Sequence, residues 1–214
     1  MRATLLLLAD GRLPAGGHAY SAGVEAAVRY GDVVDEATLE RYLAGRLATT
    51  GVTEAAFAVA ASVAGTYDEL DRELTARMLS PRAREVGARM GRQLLRAGRR
   101  AWPSPALDGL DGCQQPIVLG ALAGISGCGP TETAVLVMHH LGAAVASAGT
   151  RLLGLDPLGV LAVQARSTTL IDELVEPADT WAGLPSAALP ALGGALTDIL
   201  GEDHGRWDAR LFVA

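Results

Sequence analysis

The residues of this chain that could do chemistry are few, and the densest group lies near its start. Asp10, His18 and Glu25 fall within sixteen positions, with Pro14, Gly16, Gly17 and Ser21 between them. Two carboxylates and an imidazole gathered by a folded-back loop would make a hard-metal or acid-base site, the donor set of a helical metal-dependent hydrolase. The same residues have a structural reading. Pro14 fixes one φ angle, and Gly16 and Gly17 permit positive φ or close backbone approach. Ser21 can cap the helix that follows, with Glu25 in a first turn whose dipole favours a carboxylate. From these residues alone, a capped corner between two packed helices is the simpler account.

The rest of the chain offers less. His139 and His140 are adjacent in a helical pattern and point about 100 degrees apart, so they do not converge on one ion as an i, i+4 pair would. One is expected to be packed and the other exposed, while His204 lies in an acidic tail. Cys113 and Cys128 fit no zinc-site spacing and read as free thiols. All 18 basic residues are Arg. Without Lys, neither a Walker A phosphate loop nor a Schiff-base mechanism is open to the chain. No G-x-S-x-G occurs, and no G-x-G-x-x-G follows a strand pattern. The reading is a non-enzyme with no metal site and no resident cofactor.

The elements that would position these residues are helical. Apolar residues recur at helical spacing, as in Leu39, Leu43 and Leu47 or Val86, Met90 and Leu94. Caps or first-turn prolines precede them at Asp35, Thr53, Ser80-Pro81, Gly129-Pro130 and Asp156-Pro157. The pattern predicts helices near 2–9, 21–30, 36–50, 53–65, 67–79, 81–100, 116–127, 131–153 and 157–175, followed by a looser tail. The fold class expected is all-α, a bundle of about nine to ten helices forming a single domain over 1–214. Residues 201–214 are expected to form a docking or partner-binding tail.

The longest apolar runs, Ile117 to Ile125 and Ala134 to Met138, fall short of the ~20 residues that span a bilayer. Asp10 interrupts the N-terminal apolar run with no cleavage signature. A cytoplasmic protein is expected.

Charge is uneven. Eight Arg lie between Arg77 and Arg100 with only Glu85 opposing them, whereas residues 172–208 carry eight acids and one base, Arg206. Arg89, Arg92, Arg96 and Arg99 share one helix face. A solvated face accounts for most of this stripe. The functional alternatives are an acidic partner, the molecule's own acidic tail, or a nucleic acid, which the net charge of −6 disfavours. The tail Gly201 to Ala214 carries Trp207, Arg210, Leu211 and Phe212, residue types that serve equally as interface anchors or as plugs in the protein's own core.

Several stretches resemble one family. Leu8-Ala9-Asp10, Leu13-Pro14-Ala15-Gly16 and Ser21-Ala22-Gly23-Val24-Glu25 resemble the N-terminal signature of the urease accessory protein F family. Arg89-Met90-Gly91 with Leu94-Leu95-Arg96, Gln115 to Gly120, and terminal Arg210-Leu211-Phe212 preceded by His204 follow in the family's order. The resemblance implies a dimer-forming, non-catalytic scaffold that helps load nickel into urease, with nickel at most in transit. Its implied partners are the D/H-type accessory protein, the G-type accessory GTPase, apo-urease and a second copy of the chain, with no nucleic acid and no membrane. Asp10, Pro14, Gly16, His18, Ser21, Glu25, Arg210, Leu211 and Phe212 then become partner-binding or passage-lining candidates. The resemblance also implies a tail that orders on a partner, so folding is not expected to depend on it. The chain departs from the pattern at His18, where the family carries an aromatic residue, and around Gly154 and Asp156-Pro157.

Overall fold

The protein is described here by a computed structural model that covers residues 3–13, 20–208 and 210–212. It is all-α, with no β-strand among the described residues. The helices are α1 (Ala3–Ala9), α2 (Val24–Tyr30), α3 (Glu36–Arg46), α4 (Val52–Val63), α5 (Asp68–Arg77) and α6 (Pro81–Ala101). They continue with α7 (Gln115–Ile125), α8 (Pro130–Leu153), α9 (Pro157–Leu174), α10 (Ala178–Trp181) and α11 (Ala195–His204).

Four of the predicted starts form as the sequence suggests. Asp35 and Thr38 make a reciprocal capping box, the Thr38 amide donating to the Asp35 carboxylate at 2.8 Å and the Asp35 amide to the Thr38 hydroxyl at 2.9 Å. Ser80 accepts the Ala83 amide at 2.9 Å ahead of Pro81, Glu132 accepts the Gly129 amide at 3.0 Å, and Asp156 accepts the Leu158 amide at 3.2 Å. Each cap satisfies an amide that the first helical turn leaves unpaired.

Two predicted starts are corrected. Ser21 does not cap α2. The chain enters that helix through Ala22 at φ 53° and Gly23 at φ 86°, and the buried Ser21 hydroxyl has no partner. Only its backbone carbonyl reaches the helix, accepting the Val24 amide at 3.0 Å.

Thr53 does not start a helix either. α3 and α4 run on through a π-turn at Leu47–Gly51, so the break expected near residue 52 is absent. The Thr53 hydroxyl instead donates to the Leu192 carbonyl and accepts the Leu192 amide, both at 2.9 Å. That pairing ties the segment before α11 onto α4. The tail read as loose therefore contains α10 and α11.

The core is one contiguous apolar cluster with α4, α7 and α8 at its centre. α7 is buried from Pro116 through Ala123, and α4 is almost as thoroughly enclosed. Their backbones approach closely because α7 carries glycine at the contact. A Cβ on Gly120 would stand 2.0 Å from the Ala58 carbonyl oxygen, and one on Gly124 2.1 Å from that of Ser62.

α8 is long and apolar enough to cross a membrane by composition, yet two-thirds of its apolar window is buried inside the protein. Its two histidines divide as expected, His139 exposed and His140 half-buried. Both then serve α1. His140 Nε2 meets the Leu8 carbonyl at 2.8 Å and His139 Nε2 the Ala9 carbonyl at 3.2 Å, pairing carbonyls that the end of α1 leaves open. Burial holds the His140 imidazole below its ordinary pKa, in the neutral form that donates from Nε2.

The glycine contact yields a test. Gly120→Ala forces α7 off α4 and is expected to cost about 2–3 kcal/mol in chemical denaturation, in the range of core overpacking. Gly142→Ala in α8, where a Cβ would meet nothing within 4 Å, should be neutral or stabilising by up to about 1 kcal/mol. Equal losses at the two positions would show that the close approach does not matter.

Candidate functional site

Glu25 is where α2 meets α11 and the tail that follows it. It stands in the first turn of α2, as its position predicts, but the positive end of the helix is the smaller part of its environment. Its Oε1 accepts the Leu211 amide at 2.7 Å, and its Oε2 accepts the Phe212 amide at 2.9 Å and the His204 Nε2 at 2.8 Å. One carboxylate thus receives three donors from α11 and the tail. Burial alone would push the Glu25 carboxyl up. The Leu211 amide, the His204 ring and the Phe212 amide outweigh that and hold it below its ordinary value.

The surrounding side chains complete the anchor. His204 is buried, with its ring edge-on to Trp207 at 4.8 Å between centroids. The Trp207 indole donates to Asp203 at 2.9 Å, and Arg29 of α2 lies over the indole at 4.0 Å. Phe212 is 4 % exposed and lies beneath the Arg151 guanidinium, 4.3 Å from ring centroid to cation. Arg210 donates to the Gly205 carbonyl at 3.0 Å and stays exposed, and Leu211 is 53 % exposed. The tail is therefore docked. Phe212 points in, and Arg210 and Leu211 point out.

The acidic segment also reaches the basic helix within the same molecule. Glu202 of α11 accepts from the Ser80 hydroxyl and from the Arg82 amide at 2.8 Å, placing a carboxylate at the N-terminus of α6. On the exposed face of that helix Arg99 pairs with Asp111 at 2.7 Å, while Arg89, Arg92 and Arg96 are solvated.

Among the other candidates that are described, neither Asp10 nor Ser21 shares a hydrogen bond with Glu25. Asp10 is engaged by its neighbour: the Arg12 side chain and amide hold its carboxyl down at about 2. Pro14, Gly16 and His18 lie outside the described residues. No group of three or more His, Cys, Asp or Glu that could hold a metal occurs among the described residues. Cys113 and Cys128 are both buried and neither is in a disulfide, and burial pushes Cys113 up to about 12. Sequence reasoning missed the reach of Glu25 to the tail, although the terminal Arg-Leu-Phe and His204 were in view. It also assigned Arg151 no contact with Phe212.

Comparison with known proteins gives the arrangement a context. The UreF family model matches residues 33–168, from just before α3 into α9. A urease accessory protein UreF of Mycolicibacterium vanbaalenii is 38 % identical over 99 % of this chain and 98 % of its own length. The proteins of that name from a Mycobacterium species and from Mycobacterium tuberculosis are 37 % and 35 % identical, each over 99 % of this chain and 98 % of the relative. This chain belongs to the UreF family of urease accessory proteins.

The docked tail reverses the expected order of effects. Truncation after Gly201 should lower the melting temperature, because it uncovers the Phe212 site and strands Glu25. Glu25→Ala should cost about 2–4 kcal/mol by leaving the buried His204 and two amides unpaired. The pH dependence follows from the depressed carboxyl. Its contribution is fully present above the ordinary value of 4.5 and is lost as pH falls through the lower folded-state value. Hydrogen-exchange protection of the Leu211 and Phe212 amides should collapse below that value in the parent protein. In Glu25→Ala it should already be low at neutral pH, and protection unaltered by the substitution would disprove the anchor.

Proposed function

We propose that this protein is a non-catalytic adaptor of urease maturation. It joins the D/H-type accessory protein and the G-type GTPase during GTP-dependent nickel insertion into apo-urease. Membership of the urease accessory family supports the role, and the geometry around Glu25 suggests how the protein performs it. The fold holds Leu211 and Phe212 in place by their backbone amides, which both donate to one carboxylate. It leaves a guanidinium and a leucine side by side at the surface. A planar bidentate donor beside an apolar anchor is the pairing that interface hot spots use. A preordered tail spends less conformational entropy on binding than a free one.

In this reading the partners supply the chemistry. The chain has no Lys to contact a nucleotide's phosphates, so GTP turnover belongs to the GTPase partner. Nickel is cargo that passes through the assembly. We further propose a homodimer, supported by the exposed apolar face of α9, where Leu158 is 74 % and Leu161 60 % exposed. A pair of copies would present two tails related by symmetry.

Leu211→Asp and Arg210→Ala test the role without disturbing the anchor, since neither side chain is buried. Each should leave melting within about 2 °C of the parent, weaken capture of the D/H-type partner about tenfold or more, and reduce urease activation in the same proportion. Melting and pull-down on the same preparations decide the matter. Normal capture by both variants would remove the tail from the partner surface.

A further inference from the structure

Beneath the π-turn that joins α3 to α4 lies a cavity of about 110 Å³. α11 and the segment before it cover one side, and α6 closes another. Its lining is unusual for the interior of a helical protein. Of the eight buried side-chain polar atoms without a hydrogen-bond partner among the described residues, five belong to residues that line it: Arg46 Nε, Thr50 Oγ1, Arg77 Nε, Arg82 Nε and Gln114 Oε1. Arg77 and Arg82 have partners for other atoms, whether an ion pair with Glu73 or a contact with Glu85.

Arg46 has none. It is 6 % exposed, and no described residue makes a hydrogen bond or ion pair with it. A buried guanidinium stays protonated, and an enclosed Nε–H with no acceptor, on a side chain that no described residue pairs, is costly unless something else occupies the space.

The nearest acids do not fill that role. Glu54 and Asp198 line the same cavity, but neither comes within ion-pair distance of Arg46, and burial raises both carboxyls toward their neutral forms. The backbone contributes to the site as well. Arg46 is the last residue of α3, immediately before the π-turn, and the unpaired Thr50 hydroxyl projects from that turn. Such turns recur at functional sites because they redirect side chains out of the regular helical pattern. Gly194 passes over the guanidinium, where a Cβ would stand 3.8 Å from Nη1.

We propose that this cavity binds a small oxyanion of the carboxylate, bicarbonate or phosphate class, seated against the Arg46 guanidinium with the Thr50 hydroxyl as a further donor. Forked donors match two oxygens of such an anion, and charge-assisted bonds in a buried setting are stronger than neutral ones. The volume is several times that needed for one water, so an anion of three or four heavy atoms fits beside ordered solvent. The site is independent of the tail and of the maturation role, and it can be read without either.

The test uses the full chain, with sodium acetate, bicarbonate and phosphate compared against sodium chloride at matched ionic strength. At least one oxyanion should raise the melting temperature along a saturable curve, reaching about 5–10 °C at a hundredfold excess over its dissociation constant. The ranking of the three identifies the preferred chemistry. Arg46→Met should abolish the rise while leaving the unliganded protein as stable as the parent or more so, since an unpaired buried charge is replaced by an apolar side chain. Arg96→Gln, on the exposed face of α6, should retain the rise in full.

A parent protein indifferent to all three anions contains a water-filled cavity, and the proposal fails. A rise that survives in Arg46→Met also overturns it. Should Arg46→Met not fold, the arginine Nε–H resonances of the parent decide. A buried resonance shifting along the titration supports the site, and none shifting refutes it.

Discussion

The close approach of α7 to α4 is the contact from which the rest of the packing follows. Gly120 and Gly124, one turn apart on α7, meet the carbonyl oxygens of Ala58 and Ser62 on α4. With no side chains between them, the two backbones lie nearer than Leu or Val would allow. Small residues elsewhere continue the principle. Gly91 of α6 abuts the Cys113 carbonyl, and Gly98 abuts Leu122 of α7, so α6 closes the other side of the same helix. α7 is therefore held between two neighbours, and a sequence with so few aromatic residues fills its core by proximity instead of by bulk.

Once α4 is held there, its N-terminal extension into α3 must take the direction that α8 and α9 permit, and the π-turn at Leu47–Gly51 absorbs the difference. A regular α-helix would have carried Thr53 and Arg46 to other faces. In the observed register Thr53 binds Leu192 and ties the segment before α11 to α4. α11 packs on α2 and α6, and Leu211 and Phe212 beyond it return to Glu25. The route from the glycine contact to the docked tail thus runs through named hydrogen bonds, each depending on the one before.

Local signals were legible in the sequence and distant ones were not. Asp35, Ser80-Pro81 and Asp156-Pro157 act on amides two or three residues away, so the residue types suffice to place them. Thr53 has the type and neighbours of a cap, yet its partner lies 139 positions later, and nothing near it in the chain reveals that the partner prevails. Ser21 failed as a cap because Ala22 takes a positive φ, a conformation that sequence pattern assigns to Gly or Asn. The all-α class was readable because periodic apolar spacing recurs throughout. For the candidate site the sequence contained both halves, Glu25 and the terminal Arg-Leu-Phe, but their meeting spans 186 positions and depends on the whole fold between them.

Two charged side chains, Glu25 and Arg46, are treated in opposite ways, and the contrast separates structure from readiness. Glu25 is paired in full: three donors converge on its two oxygens, the tail closes over it, and removing any donor leaves an open group in a dry place. Arg46 is buried more deeply and paired with nothing among the described residues. Selection for stability alone would favour an apolar side chain at that position, because an unpaired interior guanidinium opposes folding. The same helical framework therefore completes one polar site by its own residues and leaves the other incomplete. An interior charge left open beside a cavity is understandable when its counterpart arrives from outside the chain, just as the closed site at Glu25 is understandable when its counterpart is the chain itself.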